Sequence, residues 1–221
     1  MKFEELFFLQ LSILLNKLTL KKIKSNIFKK IDYNFNKVYE CLPFNLTNAQ
    51  KKVIKEIRKD VLSGYKMNRL IQGDVGSGKT IVALMSILMS IDNGFQSALM
   101  APTAVLAFQH YRSIKEYCKN LNLNISLLTG ATKNSKKKQI IKELSTGEID
   151  IIIGTHALIE DNILFKNLGL VIIDEQHKFG VAQRAKLSQK SMLSPHVIVL
   201  TATPIPRTLA MTFYGDLDVS V

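Results

Sequence analysis

The stretch GDVGSGKT at residues 73–80 constrains the fold most, because it stands between a short apolar segment and a long apolar segment. Its three glycines let the backbone curl so that successive N–H groups face inward. A helix that begins at such a loop adds the positive end of its dipole, which favours an anion. The spacing matches G-x-x-x-x-G-K-[ST] and therefore predicts a phosphate cradle between a buried strand and a helix.

Each residue of this stretch has a predicted part in binding a nucleotide. Lys79 would reach the β and γ phosphates, and the Thr80 hydroxyl would complete the shell of a Mg²⁺ ion. An accidental match in a glycine-rich turn is the alternative, and the strand and helix patterns on either side disfavour it. The predicted cofactor-binding residues here are Gly73, Asp74, Val75, Gly76, Ser77, Gly78, Lys79 and Thr80.

From residue 42 onward, short apolar segments alternate with longer helical patterns. This alternation predicts an α/β domain in which helices cover both faces of a parallel sheet. Ligands of open α/β sheets bind at the carboxyl edge, so the strand ends are the places to search for chemistry. The predicted strands are 69–72, 97–101, 125–129, 149–154, 170–174 and 196–202, and the predicted helices include 47–61, 80–91 and one that begins near 104.

A second polar cluster, DEQH at residues 174–177, directly follows the apolar strand at 170–174. A buried strand that ends in a polar turn would also account for a lone pair of carboxylates. Because parallel strands end at one edge, Asp174 is predicted to lie beside the cradle and to hold Mg²⁺ through water, while Glu175 polarises the attacking water. With Lys79, these are the predicted catalytic residues. No N-K-x-D stretch is present, so the predicted nucleotide is ATP rather than GTP.

Motifs that follow one order from residue 46 to residue 208 make the chain resemble the DEAD/DEAH superfamily of helicases and translocases. Within it, LPF (42–44), DEQHKFGV (174–181) and YGDLDVS (214–220) are similar to motifs of the RecG family of branched-DNA helicases. The resemblance implies a RecA-like P-loop NTPase domain. The superfamily motifs are LTNAQ (46–50), GDVGSGKT (73–80), APTAVLAFQH (101–110), LTG (128–130), GTHAL (154–158), DEQH (174–177) and TATPIPRT (201–208).

The resemblance also implies roles for individual residues. Gln50 would read the adenine base, although Thr47 and Gln50 also have the spacing of a helix capping box. Threonines that follow strands can cap the next helix as well as contact a phosphate. The implied residues are Gln50 for adenine, Thr103, Gly130 and Thr155 for DNA, and His177, Thr201 and Thr203 for coupling hydrolysis to movement.

The other three histidines, His110, His156 and His196, form no ligand cluster in the sequence. We predict that they are hydrogen-bonded structural residues. His156 is the most plausible exception, because it lies within GTHAL.

By resemblance, the complete protein would be an ATP-dependent helicase that remodels branched DNA in recombination and repair. The wedge domain of the family would precede residue 3, and the second motor domain would follow residue 221. We therefore expect the chain alone to bind Mg-ATP and DNA with little turnover, while a separate chain could carry the second motor domain. The alternative is a non-enzymatic remnant or regulatory nucleotide-binding module from a truncated or split gene. The whole motif series disfavours a small P-loop kinase or GTPase.

Residues 1–41 are predicted to form a basic helical linker, followed by the RecA-like domain at 42–221. Of the net charge of +12, residues 17–38 carry a large part, with seven lysines against one aspartate. A phosphate-contacting patch and a solvated face both account for this charge. No apolar run approaches the roughly 20 residues of a membrane span, and Cys41 and Cys118 show no paired or metal-type spacing. A cytoplasmic setting without membrane contact is therefore predicted.

Overall fold

The computed structural model describes residues 7, 8, 11, 15, 23–174, 193–202 and 217–220. These residues form a seven-stranded parallel sheet in the order β3-β4-β2-β5-β6-β1-β7, so the predicted parallel α/β architecture is confirmed. The strands are β1 (Asn68–Gln72), β2 (Gln96–Met100), β3 (Ile125–Leu128), β4 (Ile151–Gly154), β5 (Leu168–Asp174), β6 (His196–Thr201) and β7 (Asp218–Ser220). The helices are α1 (Tyr33–Cys41), α2 (Asn48–Leu62), α3 (Lys79–Asp92), α4 (Ala104–Tyr117) and α5 (Asn134–Thr146), with a 3₁₀ helix at His156–Ile159.

The central strands are apolar along their whole length because both of their faces are covered. All seven residues of β5 are buried, as are all six of β6. Strands of this kind read as continuous hydrophobic runs, which explains why the sequence predicts them well. The ends of the observed strands differ from the predicted ends by at most two residues, and β7 was not predicted. Strand β4, for example, begins at Ile151 rather than at residue 149. The carbonyl of Ile149 accepts a hydrogen bond from Gln96 Nε2 (2.8 Å) instead of taking part in the strand ladder.

The helices that flank the cradle form where the sequence predicts them. Helix α2 begins after a capping box formed by Thr47 and Gln50, and it buries an apolar stripe that ends at Val61. Helix α3 buries ten consecutive residues, 81–90, and is therefore the central helix of the domain. Among the described residues, no helix is both long enough and apolar enough to span a bilayer.

Alternate residues of each strand face opposite layers of the core. In β5, Leu170 and Ile172 face the layer that holds the buried residues of α1 to α4. Val171 and Ile173 face the layer formed by α5 and the segment 157–165. Asp174 follows Ile173, so its side chain lies on the face covered by α3 and α4.

Residues 23–41, within the predicted linker, pack against the domain. Phe28 is 1% exposed, and Phe35 and Val38 of α1 belong to the same core layer as α3. The Asp92 carboxylate at the end of α3 accepts the backbone N–H groups of Asp32, Asn34 and Phe35 at 3.0 to 3.1 Å. These bonds satisfy N–H groups at the start of α1 that have no acceptor within the helix. The boundary at residue 42 stays a prediction.

Candidate functional site

The loop 73–80 lies at the carboxyl edge of the sheet, between the end of β1 and the start of α3. The N–H of Gly73 donates to the carbonyl of Thr201 at the end of β6 (3.2 Å), which ties the loop to the neighbouring strand. Within the loop, the N–H of Ser77 donates to the carbonyl of Asp74 (3.1 Å) and closes a turn. The loop is thus anchored to β6 at its base and exposed at residues 74–77.

Glycine is required at particular points of this loop. Gly76 and Gly78 have φ angles of +80° and +82°, a region that other residues enter at a cost. A Cβ atom at Gly78 would also collide with Gln50 Nε2, and one at Gly73 would lie 2.7 Å from Ser77 Oγ. The loop therefore forms a cradle that side chains at these positions would fill.

Positive charge gathers at the mouth of the cradle. Lys79 Nζ donates to the carbonyls of Gly73 (2.6 Å) and Asp74 (2.8 Å), so the ammonium group lies over the loop. Helix α3 begins at Lys79, and its first N–H groups have no acceptor within the helix. A helix N-terminus, a curled glycine loop and a lysine together form a site for an anion. Thr80 lies in the first turn of α3 and is partly exposed.

Gln50 joins the start of α2 to this cradle. Its Oε1 accepts the N–H of Thr47 (2.9 Å) and its own N–H donates to Thr47 Oγ1 (3.2 Å), so the capping box is present. Its Nε2 donates to the carbonyl of Ser77 (2.9 Å). The predicted capping box of Thr47 and Gln50 is thus confirmed, and Gln50 also contacts the loop 73–80. Its role with adenine stays a prediction.

Asp174 is the last residue of β5 and lies at the same edge of the sheet. Strand β6 separates β5 from β1, so two inter-strand spacings, about 10 Å, lie between them. In register, Asp174 pairs with Leu200 of β6, which pairs with Ile71 of β1. The carboxylate is therefore close in register to the base of the cradle, and it shares a face of the sheet with α3.

His110 of α4 contacts this carboxylate, which the sequence did not predict. His110 Nε2 lies 2.7 Å from Asp174 Oδ2, and both residues are buried. The prediction that His110 is hydrogen-bonded is correct, but its partner is 64 positions away in the chain. The sequence pattern that could have indicated this contact is the spacing of Ala107, His110 and Ile114. This spacing places the imidazole on the buried face of α4.

The other predicted residues lie in several places. Thr201 ends β6 and is buried, and its carbonyl holds the base of the loop. Thr103 Oγ1 caps α4 by accepting the N–H of Leu106 (3.2 Å) and is exposed, and Gly130 lies exposed in the turn after β3. The Thr155 hydroxyl is buried without a hydrogen-bond partner in the described part of the chain. Glu175, His177 and Thr203 lie outside the described residues.

Comparison with known proteins places the chain in a family. The model of the DEAD/DEAH box helicase family matches residues 47–212, and the chain belongs to that family. Within it, the chain is 50% identical to the ATP-dependent DNA helicase RecG of Aquifex aeolicus over 220 residues, which are 99% of this chain and 28% of the relative. It is 52% identical to RecG of Thermotoga maritima over 221 residues, again 99% of this chain and 28% of that protein.

A solved structure, RecG bound to a three-way DNA junction, has the same fold. It matches with a TM-score of 0.85 at 48% identity over 98% of this chain and 29% of that chain. The predicted RecA-like fold and the resemblance to RecG are therefore confirmed. The chain spans between a quarter and a third of the length of these relatives.

Proposed function

We propose that this chain is the ATP-binding motor lobe of a RecG-type DNA helicase. The observation that carries the proposal is the cradle at the carboxyl edge, with the Lys79 ammonium over it and the Asp174 carboxylate at the same edge and on the face covered by α3. This arrangement offers cationic and N–H donors to phosphates, and an oxygen ligand to a hard cation. DEAD/DEAH box helicases bind a nucleotide at such a site, and RecG is named as ATP-dependent.

The phosphates of ATP would be held by the loop 73–80. The backbone of Gly73, Asp74, Val75, Gly76, Ser77 and Gly78 would enclose them, Lys79 would pair with the β and γ phosphates, and Gln50 would contact the adenine. The cradle fits this group because Gly73 and Gly78 leave the space that a side chain would occupy.

Mg²⁺ fits the remaining donors of the site. The Thr80 hydroxyl would complete the shell of the ion and the Asp174 carboxylate would hold it through water, and both offer the oxygen atoms that this ion prefers. When bound, the ion would neutralise the charge of the phosphates. Lys79 would stabilise the negative charge that develops on the γ-phosphate, and Glu175 would orient the attacking water.

Movement on DNA would depend on residues elsewhere at this edge. Thr103, Gly130 and Thr155 are the proposed DNA contacts. Of the two threonines, Thr103 is exposed and Thr155 is buried. His177, Thr201 and Thr203 would couple hydrolysis to movement. Remodelling of branched DNA would belong to the complete protein, of which residues 42–221 are the first motor domain and residues 1–41 the linker. Such a protein would act on DNA in the cytoplasm.

Nucleotide affinity tests the proposal directly. We expect the purified 221-residue chain to bind a fluorescent ATP analogue, and Lys79→Ala to weaken that binding by about 10- to 100-fold, because a hydrogen bond to a charged phosphate is lost. Lys138→Ala removes the same charge from an exposed position on α5 and is the matched control. Equal binding by Lys79→Ala and Lys138→Ala would contradict the proposed site.

Turnover of ATP separates a motor lobe from a complete motor. We expect the chain alone to hydrolyse ATP slowly, with or without a three-way DNA junction, since phosphoryl transfer that lacks an additional arginine can be slower by roughly three to five powers of ten. Strong DNA-stimulated turnover that Lys79→Ala abolishes would show that a second copy of the chain supplies this additional arginine. Nucleotide binding without any turnover under either condition would agree with the regulatory alternative.

A further inference from the structure

His110 of α4 contacts Asp174 at the end of β5, although His110 is not among the residues assigned to the proposed nucleotide site. His110 lies in the second turn of α4, and its neighbours on the buried face of that helix are Ala107 and Ile114. Its Nε2 reaches Asp174 Oδ2 at 2.7 Å, and the two side chains are 11% and 12% exposed. The packing of α4 on the sheet therefore brings the imidazole to the end of β5.

The direction of the hydrogen bond follows from the chemistry of the partners. A carboxylate oxygen accepts hydrogen bonds and does not donate them, so the hydrogen atom is on His110 Nε2. Little water reaches either side chain, and competition from solvent is correspondingly small. The bond therefore restricts rotation of the Asp174 carboxylate and engages Oδ2, which leaves Oδ1 for another ligand.

We propose that His110 is a positioning residue that orients the Asp174 carboxylate toward the metal and phosphates at the cradle. The inference rests on the proposed nucleotide site and adds a residue to it. Partners that bind the ligand of a metal, rather than the metal itself, commonly fix the orientation of that ligand, and their removal weakens metal binding. His110 has the geometry of such a partner.

The test measures how much Mg²⁺ strengthens the binding of fluorescent ADP to the 221-residue chain. For each variant, the dissociation constant in EDTA is divided by the dissociation constant in Mg²⁺. We expect His110→Ala to lower this ratio by about tenfold or more, since loss of a partner behind a metal ligand typically costs 10- to 100-fold in metal affinity. Affinity in EDTA should stay close to that of the unmodified chain.

Two amide variants separate positioning from packing. The amide nitrogen of glutamine can stand where His110 Nε2 stands, whereas asparagine is shorter by one methylene group and does not reach. We expect His110→Gln to keep most of the Mg²⁺ effect and His110→Asn to lose it. Ser113→Ala, at an exposed position of the same helix, is the control and should leave the ratio unchanged. Equal ratios for the glutamine and asparagine variants would overturn the proposal.

A measurement on the unmodified chain covers the case in which the variants do not fold. The chain has four histidines, so the imidazole nitrogen resonances of a ¹⁵N-histidine sample are few. Addition of Mg²⁺ to the ADP-bound chain should shift the His110 Nε2 resonance, and an unchanged resonance would overturn the positioning role. If ADP does not bind in Mg²⁺ or in EDTA, the nucleotide site itself is wrong. Binding that Mg²⁺ strengthens equally in His110→Ala would refute only the role of His110.

Discussion

The two edges of the sheet each hold a buried histidine, and the histidines differ in their partners. At the carboxyl edge, His110 bonds a carboxylate beside the nucleotide cradle. At the amino edge, His196 begins β6 and bonds two backbone groups. Its Nδ1 accepts the N–H of Met67 (3.0 Å), and its Nε2 donates to the carbonyl of Asn26 (2.6 Å). His196 is fully buried and packs edge-on against the ring of Phe28 at 4.9 Å.

This difference separates a structural residue from one that can act on a ligand. The two backbone groups that His196 bonds belong to Met67 and Asn26, so these bonds join the segment around Asn26 to the sheet. The carboxylate bound by His110 lies at the edge where open α/β sheets bind ligands. The role of a buried histidine is therefore inferred from its hydrogen-bond partner and from the edge of the sheet where it lies. Burial alone does not define that role.

The largest expected effect is at the amino edge. We predict that His196→Ala lowers the free energy of unfolding by about 3 to 4 kcal/mol, because two buried backbone groups lose their partner and a cavity forms. Urea denaturation measures this loss. His156→Ala, at an exposed position, should stay within about 0.5 kcal/mol of the unmodified chain. A loss below about 1 kcal/mol for His196→Ala would show that the hydrogen bonds of His196 with Met67 and Asn26 contribute little to stability.

Acid should weaken the same edge. Burial lowers the pKa of His196 to about 4 from its ordinary value of 6.5. Above pH 6.5 both the folded and the unfolded states hold a neutral imidazole. Between pH 6.5 and 4 only the unfolded state takes up the proton, so stability falls with falling pH, by about 3 kcal/mol in all.

Urea denaturation between pH 7 and pH 4 tests this dependence against a variant that cannot titrate. Carboxylates also titrate in the lower part of this range, so the comparison must isolate His196. We expect the fall in stability between pH 6.5 and 5 to shrink in His196→Gln. A fall of the same size in both proteins would assign the acid sensitivity to other groups.

The smallest expected effect is at the carboxyl edge. Gly76→Ala should lower the free energy of unfolding by only about 1 kcal/mol: its φ angle of +80° is unfavourable for alanine, but within the described part of the chain no atom beyond the glycine and its two neighbours lies within 4 Å of the new Cβ. Gly78→Ala should cost more, since its Cβ also meets the amide of Gln50. Urea denaturation of the two variants measures the difference. Equal losses would mean that Gln50 moves aside freely.

The local parts of the site were predictable from the sequence because they depend on neighbours in the chain. The glycine spacing of the loop, the beginning of α3 at Lys79 and the capping box of Thr47 and Gln50 are set within a few residues. The apolar strands were also predictable, because strands that are buried on both faces need apolar residues at every position.

Only the tertiary structure decided which distant residues meet. The sequence predicts that Asp174 lies at the same edge as the cradle, but only the strand order places β6 between β1 and β5 and so sets the lateral separation of Asp174 from the cradle. The His110 contact with Asp174 and the burial of His196 against Asn26 join residues 64 and 170 positions apart. Such contacts follow from the packing of whole helices and strands, in which many residues contribute, and no short spacing in the sequence encodes them.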